Sequence, residues 1–144
     1  MNEVVVDASV VFKWLIPDSA EDDVVVAKAV LIDRMEGRLQ ISVPALLHYE
    51  VSNILLFGRS RPTDKEAAAK ALKQLFELPL TIVPLSSDFA DIAILLARTY
   101  ALSFYDACYL ALAIQLDCTL ITADQRLVRK VRTDRHVRLL SQNG

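Results

Sequence analysis

Apolar residues fall into two rhythms along this chain. Short aliphatic or β-branched runs at 3–6, 39–43, 80–83, 118–122 and 137–140 read as buried strands. The stretches between them carry helical spacing and end signals. Residues 10–16 form one or two helical turns that Pro17 closes. Ser19, Ala20, Glu21 and Asp22 make a capping-box pattern. It opens a helix whose apolar Val25, Ala29 and Ile32 recur at helical spacing, up to a stop at Gly37. Pro44 is expected at the first turn of a helix over 45–57, ended by Gly58. Thr63 and Glu66 frame a second capping box for a helix reaching about residue 77. Further helices are expected over 88–100, from Ser103 to about 116, and over 125–131.

Strands that alternate with helices predict an α/β fold. The expectation is a single domain over 1–144, with a parallel sheet of about four to five strands flanked by helices on both faces. In such sheets ligands bind beyond the carboxyl ends of the strands.

Composition narrows the function. The 53% hydrophobic content of 144 residues supports a real core and excludes a disordered tail. A net charge of -2 argues against a bulk basic coat for nucleic acid. The glycines are Gly37, Gly58 and Gly144, so neither the dinucleotide fingerprint nor the phosphate-binding P-loop can be written. Cys108 and Cys118 form no CxxC pair and read as reduced, buried thiols. The first residues lack a basic region before their apolar run, and the longest apolar run, 107–114, is too short to span a bilayer. A cytoplasmic protein without membrane contact is expected.

The informative residues are acids in apolar settings. Asp7 ends the first strand, and Glu50 lies inside an apolar helix. Asp106 precedes a nearly all-apolar helix face, and Asp124 follows the fourth strand by two residues. Each has a bland explanation: Asp7 and Asp124 as caps, Asp106 as a capping-box acid, Glu50 as a solvated helix residue. Together they converge on one rim of the sheet. Three or four carboxylates in one crevice repel one another, and a hard divalent cation resolves the repulsion. With oxygen ligands alone, Mg²⁺ or Mn²⁺ fits better than Zn²⁺. Such a site equips a protein to hydrolyse a phosphodiester. Ser9, Asn53 and Thr122 stand where they can orient carboxylates or water. The alternative is that Ser9 caps a helix and Thr122 is an ordinary strand residue.

Other chemistries fit less well. His48 and Glu50 make an HxE, but no PCxxC follows, as a zinc deaminase needs. Arg129 and His136 suggest a metal-independent ribonuclease, yet such sites belong to all-helical domains, and His136 is expected on the surface. A Mg²⁺-dependent phospho-accepting regulatory domain would need a second acid beside Asp7, an aspartate ending the middle strand and a lysine ending the last. That domain, and a catalytically silent interaction module of the same fold, remain the alternatives.

The blocks VVVDAS at 4–9, HYEVSN at 48–53, SFYDAC at 103–108 and LITADQRL at 120–127 occur in an order that resembles PIN-domain ribonucleases. The nearest resemblance is to VapC-type toxins of toxin–antitoxin pairs, and it covers essentially the whole chain. The resemblance implies that Asp7, Glu50, Asp106 and Asp124 hold Mg²⁺ or Mn²⁺. It implies an endoribonuclease acting on tRNA or rRNA and leaving 5′-phosphate and 3′-hydroxyl ends. A cognate antitoxin and a homodimer are implied as partners. Ser9 and Thr122 match accessory polar positions of the family, and Asn53 fits its third-helix motif. Lys13 is a candidate phosphate contact, with an exposed solvated lysine as the alternative. Phe12, Trp14, Leu15 and Phe57 are candidates for a partner face or for the core.

Charge distribution then qualifies the low net charge. Residues 125–144 carry six basic residues against one acid, while 1–124 carry ten against seventeen. Arg126, Arg129 and Lys130 directly follow Asp124 and become candidate RNA contacts. A solvated helix face is the competing reading.

Overall fold

The computed structural model describes residues 2–17, 22–132 and 134–142. The strands are β1 (Asn2–Val6), β2 (Leu39–Pro44), β3 (Thr81–Val83), β4 (Thr119–Thr122) and β5 (Val137–Leu139). They form one all-parallel sheet in the order β3-β2-β1-β4-β5. Successive strand residues point to opposite faces. Val5 and Val6 are both fully buried, as are Ile41, Val43, Leu120 and Ile121 to within 2%. Both faces of the sheet are therefore covered, as the uninterrupted apolar runs predict.

The helices are α1 (Ala8–Leu15), α2 (Val24–Met35), α3 (Leu47–Phe57), α4 (Lys65–Glu77), α5 (Ser87–Tyr100), α6 (Phe104–Gln115) and α7 (Gln125–Lys130). α6 packs across β1, β2 and β4 and carries α5 on its outer side. α1 packs on α2, α3 and β4. The Trp14 indole donates to the Ala27 carbonyl at 2.6 Å and ties α1 to α2. No helix among the described residues is long and apolar enough to cross a membrane.

Several local expectations change. α2 buries Ala27 and Val30, and the Val25, Ala29 and Ile32 stripe faces outward. Spacing gave the right period and the wrong face, because apolar residues lie on both sides of this helix. The Ser19 to Glu21 part of the first capping box lies outside the described residues; α2 is entered through Asp23 at φ 63°. Pro44 does not open α3 but ends β2, paired with Val83, and it has no N–H to lose from the ladder. Asp64, not Thr63, caps α4 by accepting from the Glu66 N–H at 3.0 Å. Gly58 ends α3 for reasons of space: a Cβ there would stand 2.5 Å from the Ile54 carbonyl oxygen. Phe12, Trp14 and Leu15 are core residues, whereas Phe57 is 74% exposed. Both cysteines are free thiols, Cys108 buried and Cys118 half-buried.

The chain builds β1, β2 and β3 outward on one side of the sheet, then crosses back to place β4 and β5 on the other. The junction between β1 and β4 is the point where strand order reverses. Open parallel sheets form their ligand crevices at that point, outside the carboxyl ends of the strands.

Candidate functional site

Asp7 and Asp124 lie at this junction, just beyond the carboxyl ends of β1 and β4. Asp7 is the N-cap of α1, accepting from the Ser9 N–H at 3.1 Å. The same carboxylate accepts from the Ser9 and Thr122 hydroxyls, one on each oxygen. Neither hydroxyl is free to turn away. Ser9 Oγ accepts from the Ala123 N–H at 2.9 Å, and Thr122 Oγ1 accepts from the Asp124 N–H at 3.0 Å. With their lone pairs engaged by backbone donors, both hydroxyl protons are directed onto Asp7.

Asp7 is only 7% exposed. Burial pushes its pKa up to about 6, against the two hydroxyl bonds, and the nearby charge of Asp124 adds to the rise. Asp124 caps α7 through Oδ1, which accepts from the Arg126 and Leu127 N–H groups at 2.9 and 3.3 Å. The capping explanation holds for both aspartates: one oxygen of each fixes a helix start.

The second pair enters from helices. Asp106 sits in the first turn of α6, whose N-cap Ser103 accepts from the Asp106 N–H at 3.1 Å. Its pKa is raised, first by burial and then by Asp124, while Lys130 and Arg126 oppose the rise. Glu50 lies in the first turn of α3. Burial raises its pKa, a hydrogen bond from Tyr109 lowers it, and Asp106 raises it again. The four acids therefore form an electrostatic chain from Glu50 through Asp106 and Asp124 to Asp7. Each link penalises full ionisation unless positive charge is supplied.

Tyr109 is the site residue that the sequence reading missed. Its ring is buried, and its hydroxyl donates to Glu50 Oε1 at 2.5 Å. Burial and the charges of Glu50, Asp7 and Asp106 hold the phenol protonated far above neutral pH. A signal was present: Tyr109 is one helical turn after Asp106 in an otherwise apolar helix, and a buried phenol needs a partner.

The remaining expected residues divide. Asn53 is exposed, one turn beyond Glu50, and lines the same groove as Glu50, Leu46, Tyr49 and Tyr105. Arg126, Arg129 and Lys130 are exposed on α7, and Arg126 and Lys130 stand within electrostatic reach of Asp106. Lys130 Nζ also donates to the Ala101 carbonyl at 3.0 Å. Lys13 is neither an exposed lysine nor a surface phosphate contact: it is 5% exposed, and its ammonium donates to the Asp22 carbonyl at 2.6 Å. Its aliphatic stem follows the buried side of α1, which draws the charge inward to a backbone acceptor. His136 is also more enclosed than expected, with Nδ1 2.8 Å from Asp134 and Nε2 3.5 Å from Asp117.

The donor set suits a hard cation. The four acids are coupled in series through their charges and offer only oxygen donors, the chemistry a hard cation takes, with the Cys108 thiol also within electrostatic reach of Glu50. Among the described residues no three His, Cys, Asp or Glu side chains are drawn into a ready-made cage. A cation that keeps part of its water shell, as Mg²⁺ does, is compatible with so open an arrangement. The phospho-accepting alternative fares worse. Its fold places β1 beside β3 in the order 2-1-3-4-5, whereas here β1 lies between β2 and β4. β3 leads into Pro84 and Leu85 rather than an aspartate, and β5 carries Arg138 rather than lysine.

Comparison with known proteins agrees with this architecture. Residues 4–132 match the PIN domain family. Among solved structures, a protein from Pyrobaculum aerophilum superposes with a TM-score of 0.68 at 22% identity, covering 98% of this chain and 91% of the other. A toxin–antitoxin complex from Klebsiella pneumoniae gives 0.66 at 18% identity, covering 95% and 97%. VapC20 of Mycobacterium tuberculosis, described as a Sarcin–Ricin loop cleaving toxin, gives 0.63 at 15% identity, covering 89% and 95%. At these identities the superpositions establish the fold. No curated protein sequence gives a significant match.

Proposed function

The chain belongs to the PIN domain family, and from that premise we propose that it is a Mg²⁺- or Mn²⁺-dependent endoribonuclease, the toxin of a type II toxin–antitoxin pair. The observation that carries the reading is the electrostatic coupling of Glu50 to Asp106, Asp106 to Asp124 and Asp124 to Asp7, with Asp124 and Asp7 following the strands at the reversal of strand order. A protein gains no stability from four mutually repelling, partly buried carboxylates. They serve where a cation is to be held.

In this reading the four acids hold the cation. When bound, it supplies Lewis acidity at the scissile phosphate and water activated at neutral pH. Ser9 and Thr122 fix both oxygens of Asp7, and Tyr109 fixes one oxygen of Glu50, so two of the four ligands are oriented before any RNA arrives. Arg126, Arg129 and Lys130 contact the RNA backbone beside Asp106 and Asp124. Asn53 orients water or substrate next to Glu50. The substrate is tRNA or rRNA, cut to leave 5′-phosphate and 3′-hydroxyl ends. One domain over 1–144 carries the activity, in the cytoplasm, as a homodimer that a cognate antitoxin inhibits. Two of the similar structures, from Klebsiella pneumoniae and Mycobacterium tuberculosis, are described as a toxin–antitoxin complex and a toxin, which supports this partner.

End-group analysis of the cleavage products tests the proposal. Products that accept ligation through a 5′-phosphate support water as the attacking group. Products ending in a 2′,3′-cyclic phosphate would mean attack by the ribose hydroxyl and would overturn the metal-bound water reading. Growth arrest on expression, relieved by the neighbouring small reading frame, tests the toxin role.

A further inference from the structure

Beside the acids runs a groove whose aromatic walls the reaction above does not use. Its walls are Tyr49 on α3 and Tyr105 in the first turn of α6, with Leu46, Glu50 and Asn53 completing it around a volume of about 610 Å³. The two tyrosines are 81% and 61% exposed. Tyr49 is adjacent in sequence to Glu50 and Tyr105 to Asp106, so each ring is tied to a site acid by the backbone itself. Tyr105 also borders a smaller apolar hollow with Phe104, Phe89 and Leu85. Two exposed rings lining one groove form the kind of contiguous apolar surface that marks a binding site.

We propose that this groove receives an unpaired nucleobase of the RNA substrate next to the scissile phosphate, stacked on Tyr49 and Tyr105. The inference rests on the nuclease reading and names the side chains that would hold a base beside the cut. Every base offers a π-face, so an aromatic wall accepts any of the four, while a duplex keeps those faces inside its stack. Continuity with the acids ties the groove to the substrate, because Glu50 belongs both to the groove and to the proposed site. A base there hangs from a phosphate that the acids can reach, while Arg126 and Lys130 neutralise the backbone from the Asp106 and Asp124 side. The Asn53 amide brings a donor and an acceptor to the groove, the equipment for reading a base edge.

The test uses a short single-stranded oligoribonucleotide containing 2-aminopurine, bound to the intact protein in Ca²⁺, with cleavage in Mg²⁺ measured separately. Stacking predicts quenched 2-aminopurine emission. Tyr49→Leu and Tyr105→Leu should each weaken binding about tenfold and restore emission, while Tyr49→Phe and Tyr105→Phe retain both. In cleavage, the leucine variants should raise KM with kcat little changed. The same sequence annealed to its complement should show none of these effects. Unchanged affinity and emission in both leucine variants would overturn the base site, as would an undetectable interaction with the single strand. A changed elution volume with unchanged RNA affinity would assign the groove to a second copy of the chain instead. Because binding is read without turnover, an inactive but RNA-binding wild type would overturn the nuclease reading alone.

Discussion

Thr122 donates its hydroxyl proton to Asp7 across the β1–β4 junction while its oxygen accepts from the Asp124 N–H. One side chain thereby joins two of the four acids and the two strands that carry them. Thr122→Val keeps the shape and removes the donor. It should cost about 1–3 kcal/mol of stability by leaving the buried Asp7 oxygen without a partner. Urea denaturation checks this, and Thr122→Ser should recover most of the loss. A Val variant as stable as the parent would mean the hydroxyl contributes nothing to fixing Asp7.

The pH dependence of stability follows from Asp7. Its folded pKa of about 6 lies above the ordinary 3.8, so the folded chain holds this proton more tightly than the unfolded chain. The contribution is fully present below about pH 4 and is lost as pH rises through about 6. A shift of this size corresponds to roughly 3 kcal/mol. Glu50 and Asp106 are raised as well and act in the same direction. Metal-free protein should therefore show a falling urea midpoint from pH 4 to 7, and Asp7→Asn should flatten most of the slope. Added Mn²⁺ should restore the midpoint at pH 7, because it binds the folded state alone. A metal-free midpoint that rises over that range would contradict the buried placement of Asp7.

Tyr109→Phe separates orientation from packing. The ring volume is kept and the bond to Glu50 is lost. Loss of a bond that orients a metal ligand typically reduces affinity or activity about 10–100-fold. Cleavage should fall by that factor, with the activity profile shifted to higher pH because Glu50 loses the bond that lowers its pKa. Equal activity at all pH values would make Tyr109 a core residue only.

Most of the architecture was legible in the sequence because both of its periods are strong. Five apolar runs and their helix-end signals place every strand to within two residues, and Asp7, Glu50, Asp106 and Asp124 stand out as acids in apolar surroundings. What was not legible is what periodicity does not encode. α2 has apolar residues on both sides, and only the packing of Ala27 against α1 chooses between them. Pro44 satisfies a helix first turn and a strand end equally well, and the pairing with Val83 decides. Lys13 reads as a surface charge until the burial of α1 draws it to the Asp22 carbonyl. The Tyr109–Glu50 bond joins residues 59 positions apart and exists only once α3 and α6 meet.

The basic face of α7 gives a salt-dependent prediction. If Arg126 and Lys130 each neutralise one phosphate, replacing either with alanine should reduce the slope of log affinity against log salt by about 0.7 for a single strand. Filter binding to single-stranded RNA across a salt series measures it. Lys13→Ala should leave that slope unchanged and lower stability instead, since Lys13 is buried.

The central claim is that four acids hold the cation on which RNA cleavage depends. Its most direct measurement is the initial cleavage rate of RNA by the purified protein against Mg²⁺ concentration, for wild type and Asp106→Asn. The account predicts saturable Mg²⁺ dependence, no cleavage in EDTA, and a loss of at least about a hundredfold in the Asn variant, the scale on which removing one electrostatic contribution to a transition state is felt. Cleavage that persists in EDTA, or an Asn variant that cuts as fast as the parent, would contradict it.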